Sequence, residues 1–225
     1  MTGETRTALM VWGGWSGHEP ERTTARMAAL LRQAGVDVVV KDTLDAYVDL
    51  AADGGVDVIV HTWTQGEITR PQLDGLSAAV ERGAGLAGWH GGIIDSFRAN
   101  TAYQFMTGGQ WVAHPDNVID YSVQMVPERR DHPIVVGLRD FRMRSEQYYL
   151  HVDPGNDVLA TTTFGRREQA PWVEGVTMPV AWTRRWGRGR VFVNALGHVD
   201  ADFDVPEARE MTVRGILWAA GGLPD

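Results

Sequence analysis

The chain has 225 residues, 29 acidic against 21 basic for a net charge of -8, seven histidines, nine tryptophans and no cysteine. Without cysteine there is no thiol nucleophile, no disulfide, no Cys-ligated zinc and no iron–sulfur cluster held by the protein. Lys41 is the sole lysine, so a P-loop or Schiff-base lysine would have to be that residue, and the acidic balance without a long basic run argues against a nucleic-acid partner.

The length suits one domain, residues 1–225, able to bury a core without staples. No apolar run approaches the ~18 residues of a membrane span. Met1 to Thr7 is polar and lacks a signal-peptide core. The expected location is the cytoplasm.

In chain order, Ala8 to Trp12 is a short apolar run ending in Gly13-Gly14, a strand. Pro20 to Ala34 reads as a helix, with Pro20 in its first turn, Met27, Leu30, Leu31 and Ala34 on one face, and Gly35 as its stop. Val36 to Lys41 and Val56 to His61 are β-branched strands. Thr69 to Arg82 is a second helix, its start marked by a Thr69/Gln72 capping box. Ala84 to Trp89 is a further strand. This alternation predicts an α/β fold, a parallel sheet with helices on both faces. The second half changes style. Val118 to Val126, Val158 to Thr163, Met178 to Arg184 and Arg190 to Ala195 are strand candidates with no helices between them, which suggests an antiparallel extension. A last helix spans Pro206 to Ala220, with Asp204 and Glu207 at capping-box spacing. The stretch from Gly108 to Pro115 reads as loop, as does Gly165 to Val176.

Ligands of open parallel sheets bind at the carboxyl ends of the strands. His18 follows the first strand, His61 ends the third, His90 follows the fourth and His198 follows the last. His114 lies in the loop-like stretch after the fourth. Any one of them alone is more often a capped or solvated loop residue; their convergence on one edge is what points to acid–base or ligand chemistry. Gly88-Trp89-His90-Gly91-Gly92 has the spacing of a nucleophile elbow, with an imidazole where serine or cysteine usually stands. Glu146 is the best carboxylate partner; Asp95 and Asp200 are weaker ones. Trp12, Trp15, Trp63, Trp89 and Trp111 fall near the same edge, and Tyr148 adjoins Glu146, so aromatic faces for stacking on a sugar lie beside hydroxyl-binding groups. No motif demands a cofactor. No His-Glu-x-x-His occurs, yet dispersed His, Glu and Asp ligands suit a divalent metal such as zinc.

The landmarks Val11-Trp12-Gly13-Gly14-Trp15-Ser16-Gly17-His18-Glu19-Pro20, Gly88-Trp89-His90-Gly91-Gly92, Gly108-Gly109-Gln110-Trp111-Val112-Ala113-His114-Pro115, Asp131-His132-Pro133-Ile134, Ser145-Glu146-Gln147-Tyr148-Tyr149, Pro179-Val180-Ala181-Trp182, Gly189-Arg190-Val191-Phe192 and Leu196-Gly197-His198 run in order along the chain. With them the chain resembles the ThuA-like (trehalose utilisation) family, whose fold is like that of class I glutamine amidotransferases. The resemblance implies a flavodoxin-like, mainly parallel sheet with an antiparallel portion. It also implies a role in carbohydrate metabolism, on trehalose-related disaccharides or their keto derivatives. The amidotransferase cysteine corresponds to His90, so thioester chemistry is absent; His198 and Asp200 fall where the remaining triad members would stand.

The sequence therefore supports an enzyme of sugar metabolism, an isomerase or hydrolase, with His18, His90, His114, His198 and Glu146 as catalytic residues. Trp15, Trp63, Trp89, Trp111 and Tyr148 are its substrate-binding residues. A non-catalytic sugar-binding or regulatory protein on the same fold is the alternative. A hydrolase using Ser16 or Ser96 requires that serine within reach of His90 or His198. The partner is a small-molecule sugar, with neither nucleic acid nor membrane; a homo-oligomer stays open.

Overall fold

The computed structural model describes residues 5–53 and 55–224. Residues 1–4, part of the polar start, lie outside them. Strand β1 (Thr7–Gly14) leads through a 3-10 turn at Ser16–His18 into helix α1 (Pro20–Gln33). Then come β2 (Asp37–Lys41), α2 (Ala46–Asp53), β3 (Val58–Thr64), α3 (Arg70–Arg82), β4 (Gly85–Trp89), α4 (Gly91–Ile94) and α5 (Thr101–Thr107). The remainder is β5 (Gly109–Ala113), β6 (Val118–Met125), β7 (Phe141–Glu146), β8 (Tyr149–Val152), β9 (Asp157–Thr163), β10 (Thr177–Trp186), β11 (Gly189–Asn194) and α6 (Pro206–Ala219).

Among the described residues, nine strands form one sheet in the order β2-β1-β3-β4-β11-β10-β9-β6-β7, and β5 pairs with β8 apart from it. From β2 to β11 every pairing is parallel; from β11 to β7 every pairing is antiparallel. The expected α/β class with an antiparallel extension in the second half is what the chain adopts. Strands β1, β3 and β4 are sandwiched. Met27, Leu31, Met211 and Ile216 of α1 and α6 cover one face with Val58 and Val60, while Tyr47, Leu50, Leu76 and Val80 of α2 and α3 cover the other with Ile59. Burial on both faces explains why these strands are apolar at consecutive positions.

The Thr69/Gln72 capping box is present at α3. The one expected at α6 is not: Val205 is the N-cap, without a side-chain cap bond, because Asp204 instead accepts from Arg26 Nη1 at 2.9 Å. The stretch read as loop after Gly108 is strand β5, held by pairing with the short β8. Helices α2 and α5 and strands β7 and β8 add to the elements expected. No helix of the described residues is long and apolar enough to cross a membrane.

Candidate functional site

Each parallel strand delivers its loop to the same edge. At the end of β1, Gly14 takes φ 76°, a left-handed conformation that glycine adopts without strain. The Trp15 amide then donates to the Thr64 carbonyl at 3.1 Å. The short turn that follows ends in His18. Its Nδ1 lies 2.8 Å from Thr64 Oγ1 on neighbouring β3. At the end of β4, His90 takes φ 50° and ψ -144°, a conformation that costs a non-glycine residue of order 1–3 kcal/mol and is held only where the surroundings enforce it. Its amide donates to the Asn194 carbonyl at 2.6 Å, and its Nδ1 sits 2.9 Å from the Ala195 carbonyl. The elbow read from the glycine spacing is therefore built, with an imidazole at its tip.

Glu146 ends β7 and is 6% exposed. Its Oε2 lies 3.1 Å from His90 Nε2, 3.3 Å from His198 Nδ1 and 3.9 Å from His18 Nε2. Its Oε1 lies 3.7 Å from His114 Nε2. The four histidines proposed as catalytic thus meet around the carboxylate of the fifth such residue, Glu146. The rings of His18 and His90 contact edge to face at 4.6 Å, and Tyr148 stacks on His90 at 4.1 Å between ring centres. Within this centre burial lowers His90 to a pKa of about 3, against an upward pull from Glu146, with His18 and His198 adding to the downward push. Burial would raise Glu146, but the surrounding histidines outweigh it and hold the carboxyl far below its usual range. Burial lowers His198 as well; there the Glu146 carboxylate wins, and the net shift is upward.

His198 is carried by the loop after β11. Its amide donates to Asp202 Oδ2 at 2.9 Å, and that same oxygen accepts from Ser145 Oγ at 2.5 Å. Asp200 turns the other way, forming a fork with Arg26 Nε and Nη2 at 2.8 Å each. The amidotransferase-like pairing of His198 with Asp200 is not made; the carboxylate facing His198 is Glu146. Asp95 is likewise spent on Arg98, at 2.6 and 2.8 Å. His61 is not part of the centre. Strand β3 runs on to Thr64, so His61 is mid-strand and shares the Ile59 face. There it bonds Tyr47 Oη at 2.6 Å and Ser96 Oγ at 3.2 Å, fully buried. Ser96 therefore faces His61 rather than His90 or His198.

The aromatic residues divide. Trp15 is 48% exposed and stands edge-on to His18 at 4.7 Å. Trp111 lies beside His114 at 5.4 Å, with the Arg98 guanidinium 4.5 Å over its ring. Trp63 is half-buried and covers Gly13. Trp89 is buried and packs on Phe203, and Tyr148 is buried under the imidazoles. Thr64, which braces His18, and the Ala195 carbonyl, which braces His90, were not legible in the sequence. Their one signal is position, at the carboxyl ends of β3 and β11.

The family model described as ThuA, trehalose utilisation, matches residues 7–219. The chain belongs to the ThuA family. Two solved structures described as ThuA-like superimpose over most of their length. One is from Parabacteroides merdae, with 17% identity, 97% of this chain and 91% of that chain covered, and a TM-score of 0.78. The other is from Bacteroides uniformis, with 16% identity, 97% and 94% covered, and a TM-score of 0.77. The same architecture matches part of a β-galactosidase from Bacillus circulans sp. alkalophilus, with 14% identity, 96% of this chain, 30% of that chain and a TM-score of 0.61. At these identities the likeness shows the fold alone. No curated protein matches the chain. The family places the protein in carbohydrate metabolism, centred by its description on trehalose.

Proposed function

We propose that this ThuA-family protein is an enzyme acting on a trehalose-related disaccharide or keto-sugar by proton transfer. The observation that supports this most directly is the gathering of four imidazoles around the Glu146 carboxylate, under an exposed tryptophan face. Of the five groups, His114 has the most open side chain, 29% exposed, and its Nε2 rests 3.7 Å from Glu146 Oε1. In this reading His114 takes the proton from the carbon beside the keto group and Glu146 orients it. Trp15 stacks on the apolar C–H face of the sugar. Return of the proton at the neighbouring carbon gives isomerisation. Alternatively the glycosidic C–O bond breaks, the second sugar leaves with the proton held by His114 on its oxygen, and water added across the new carbon–carbon double bond completes hydrolysis. An amidotransferase-like ancestry fits this chemistry, because the elbow that would display a cysteine displays His90.

The test is NMR in deuterium oxide with trehalose, sucrose and their 3-keto forms, with and without EDTA. The expected result is deuterium incorporation beside the keto group of one 3-keto sugar, lost in His114→Ala. Saturable binding with neither exchange nor turnover establishes the alternative, a sugar-binding protein. Neither binding nor exchange across the panel refutes the carbohydrate reading.

A further inference from the structure

We infer that His18, His90, His198 and Glu146 hold one divalent first-row transition ion, with His114 left outside as an acid–base group. One ligand atom from each of the four residues lies within 4.8 Å of the others. At metal–ligand bonds of about 2.0–2.1 Å, tetrahedral donors stand roughly 3.4 Å apart. The spacings from Glu146 Oε2 of 3.1, 3.3 and 3.9 Å bracket that value.

The hydrogen-bond pattern around the four residues points the same way. The Ala195 carbonyl can only accept, so the 2.9 Å contact puts the proton of His90 on Nδ1. Its Nε2 then directs a lone pair toward Glu146 Oε2, 3.1 Å away. Two atoms with lone pairs converging in this way are a ready pair of ligands for a cation. One ion placed among them serves all four donors at once. His198 Nδ1 points to the same conclusion: it is buried and within 3.3 Å of Glu146 Oε2, yet makes no hydrogen bond. Two of the remaining ring nitrogens behave as outer supports. His18 Nδ1 is tied to Thr64 Oγ1 and His90 Nδ1 to a backbone carbonyl, the bracing that fixes ring orientation in metal-binding histidines. Three imidazoles and one carboxylate suit zinc, and manganese(II) or iron(II) when coordination rises above four. In either case the ion would lie beside His114, where adjacent oxygens of a keto-sugar could reach it.

The experiment is metal-free titration. Protein stripped with a chelator is titrated calorimetrically with zinc chloride and with manganese chloride, and with cobalt(II) followed by its visible absorption. One equivalent per chain is expected for at least one of the three, and cobalt bound at the site shows ligand-field bands. Glu146→Gln should weaken that binding more than about 100-fold, and Thr64→Val about 10- to 100-fold by freeing the His18 ring. Absence of stoichiometric binding of all three ions overturns the inference. So does binding unchanged in both variants, which would put the ion at another histidine. If Glu146→Gln does not fold, Thr64→Val and the cobalt spectrum decide alone. None of these readouts involves sugar, so metal binding and the keto-sugar reading stand or fall separately.

Discussion

Replacing His61 by glutamine tests how deeply this residue is committed to the core. Tyr47 and Ser96 satisfy both ring nitrogens, and burial lowers its pKa from 6.5 to about 3. The folded protein therefore holds His61 neutral while the unfolded chain protonates it. The unfolded state binds more protons, so this contribution is complete above 6.5, declines as pH falls, and is fully lost near 3. At about pH 5 an unfolded histidine is protonated roughly 30 to 1, which amounts to about 2 kcal/mol of lost stability. Glutamine can keep one of the two hydrogen bonds and cannot titrate. The variant should be less stable than the parent at about pH 8, and that gap should narrow by about 2 kcal/mol at about pH 5. Urea unfolding of both proteins at the two pH values, with EDTA present, measures the double difference and cancels every other titrating group. An unchanged gap would mean that His61 titrates alike in both states, and the burial argument would be wrong.

Gly91→Ala would press its methyl into the His18 ring; the protein should fold while cobalt binding weakens by at least about tenfold, and an unaltered cobalt titration would contradict the placement of His18. Trp15→Ala should raise KM for the reactive sugar several-fold with little change in kcat, since an exposed ring contributes stacking and no proton chemistry; steady-state kinetics separate the two. Gly215→Ala puts a methyl against the Phe192 ring where α6 crosses the sheet and should cost about 1–3 kcal/mol in urea unfolding, with metal stoichiometry unaffected.

What the sequence disclosed and what it withheld follow from how each residue earns its place. The central strands were legible because burial on both faces leaves only apolar residues in them. The elbow was legible because close backbone approach demands glycine. Strand β7 alternates buried Phe141, Met143 and Ser145 with exposed Arg142 and Arg144. That period of two was there to be found, yet two arginines in six residues disguise it as surface. Glu146 breaks the alternation by facing inward at the strand's end, and only the histidines it meets explain why. The apolar run stops at His61, which places it at a strand end, whereas β3 continues through Thr62, Trp63 and Thr64. One further turn of the pleat decides which layer a side chain enters. Strand β5 exists through its pairing with β8, a long-range partner that local pattern cannot reveal.

The elbow bears on how such a fold could change its trade. Around position 90, a methyl on Gly88 would strike the His61 carbonyl, one on Gly91 the His18 ring, and one on Gly92 the backbone of Thr62. These three glycines answer to their neighbours and not to the imidazole they flank. The bent backbone at 90 is held by the Asn194 carbonyl, a contact indifferent to which side chain is mounted there. The turn thus works as a socket: a single codon can exchange the reactive group at its tip while the surrounding architecture is inherited intact.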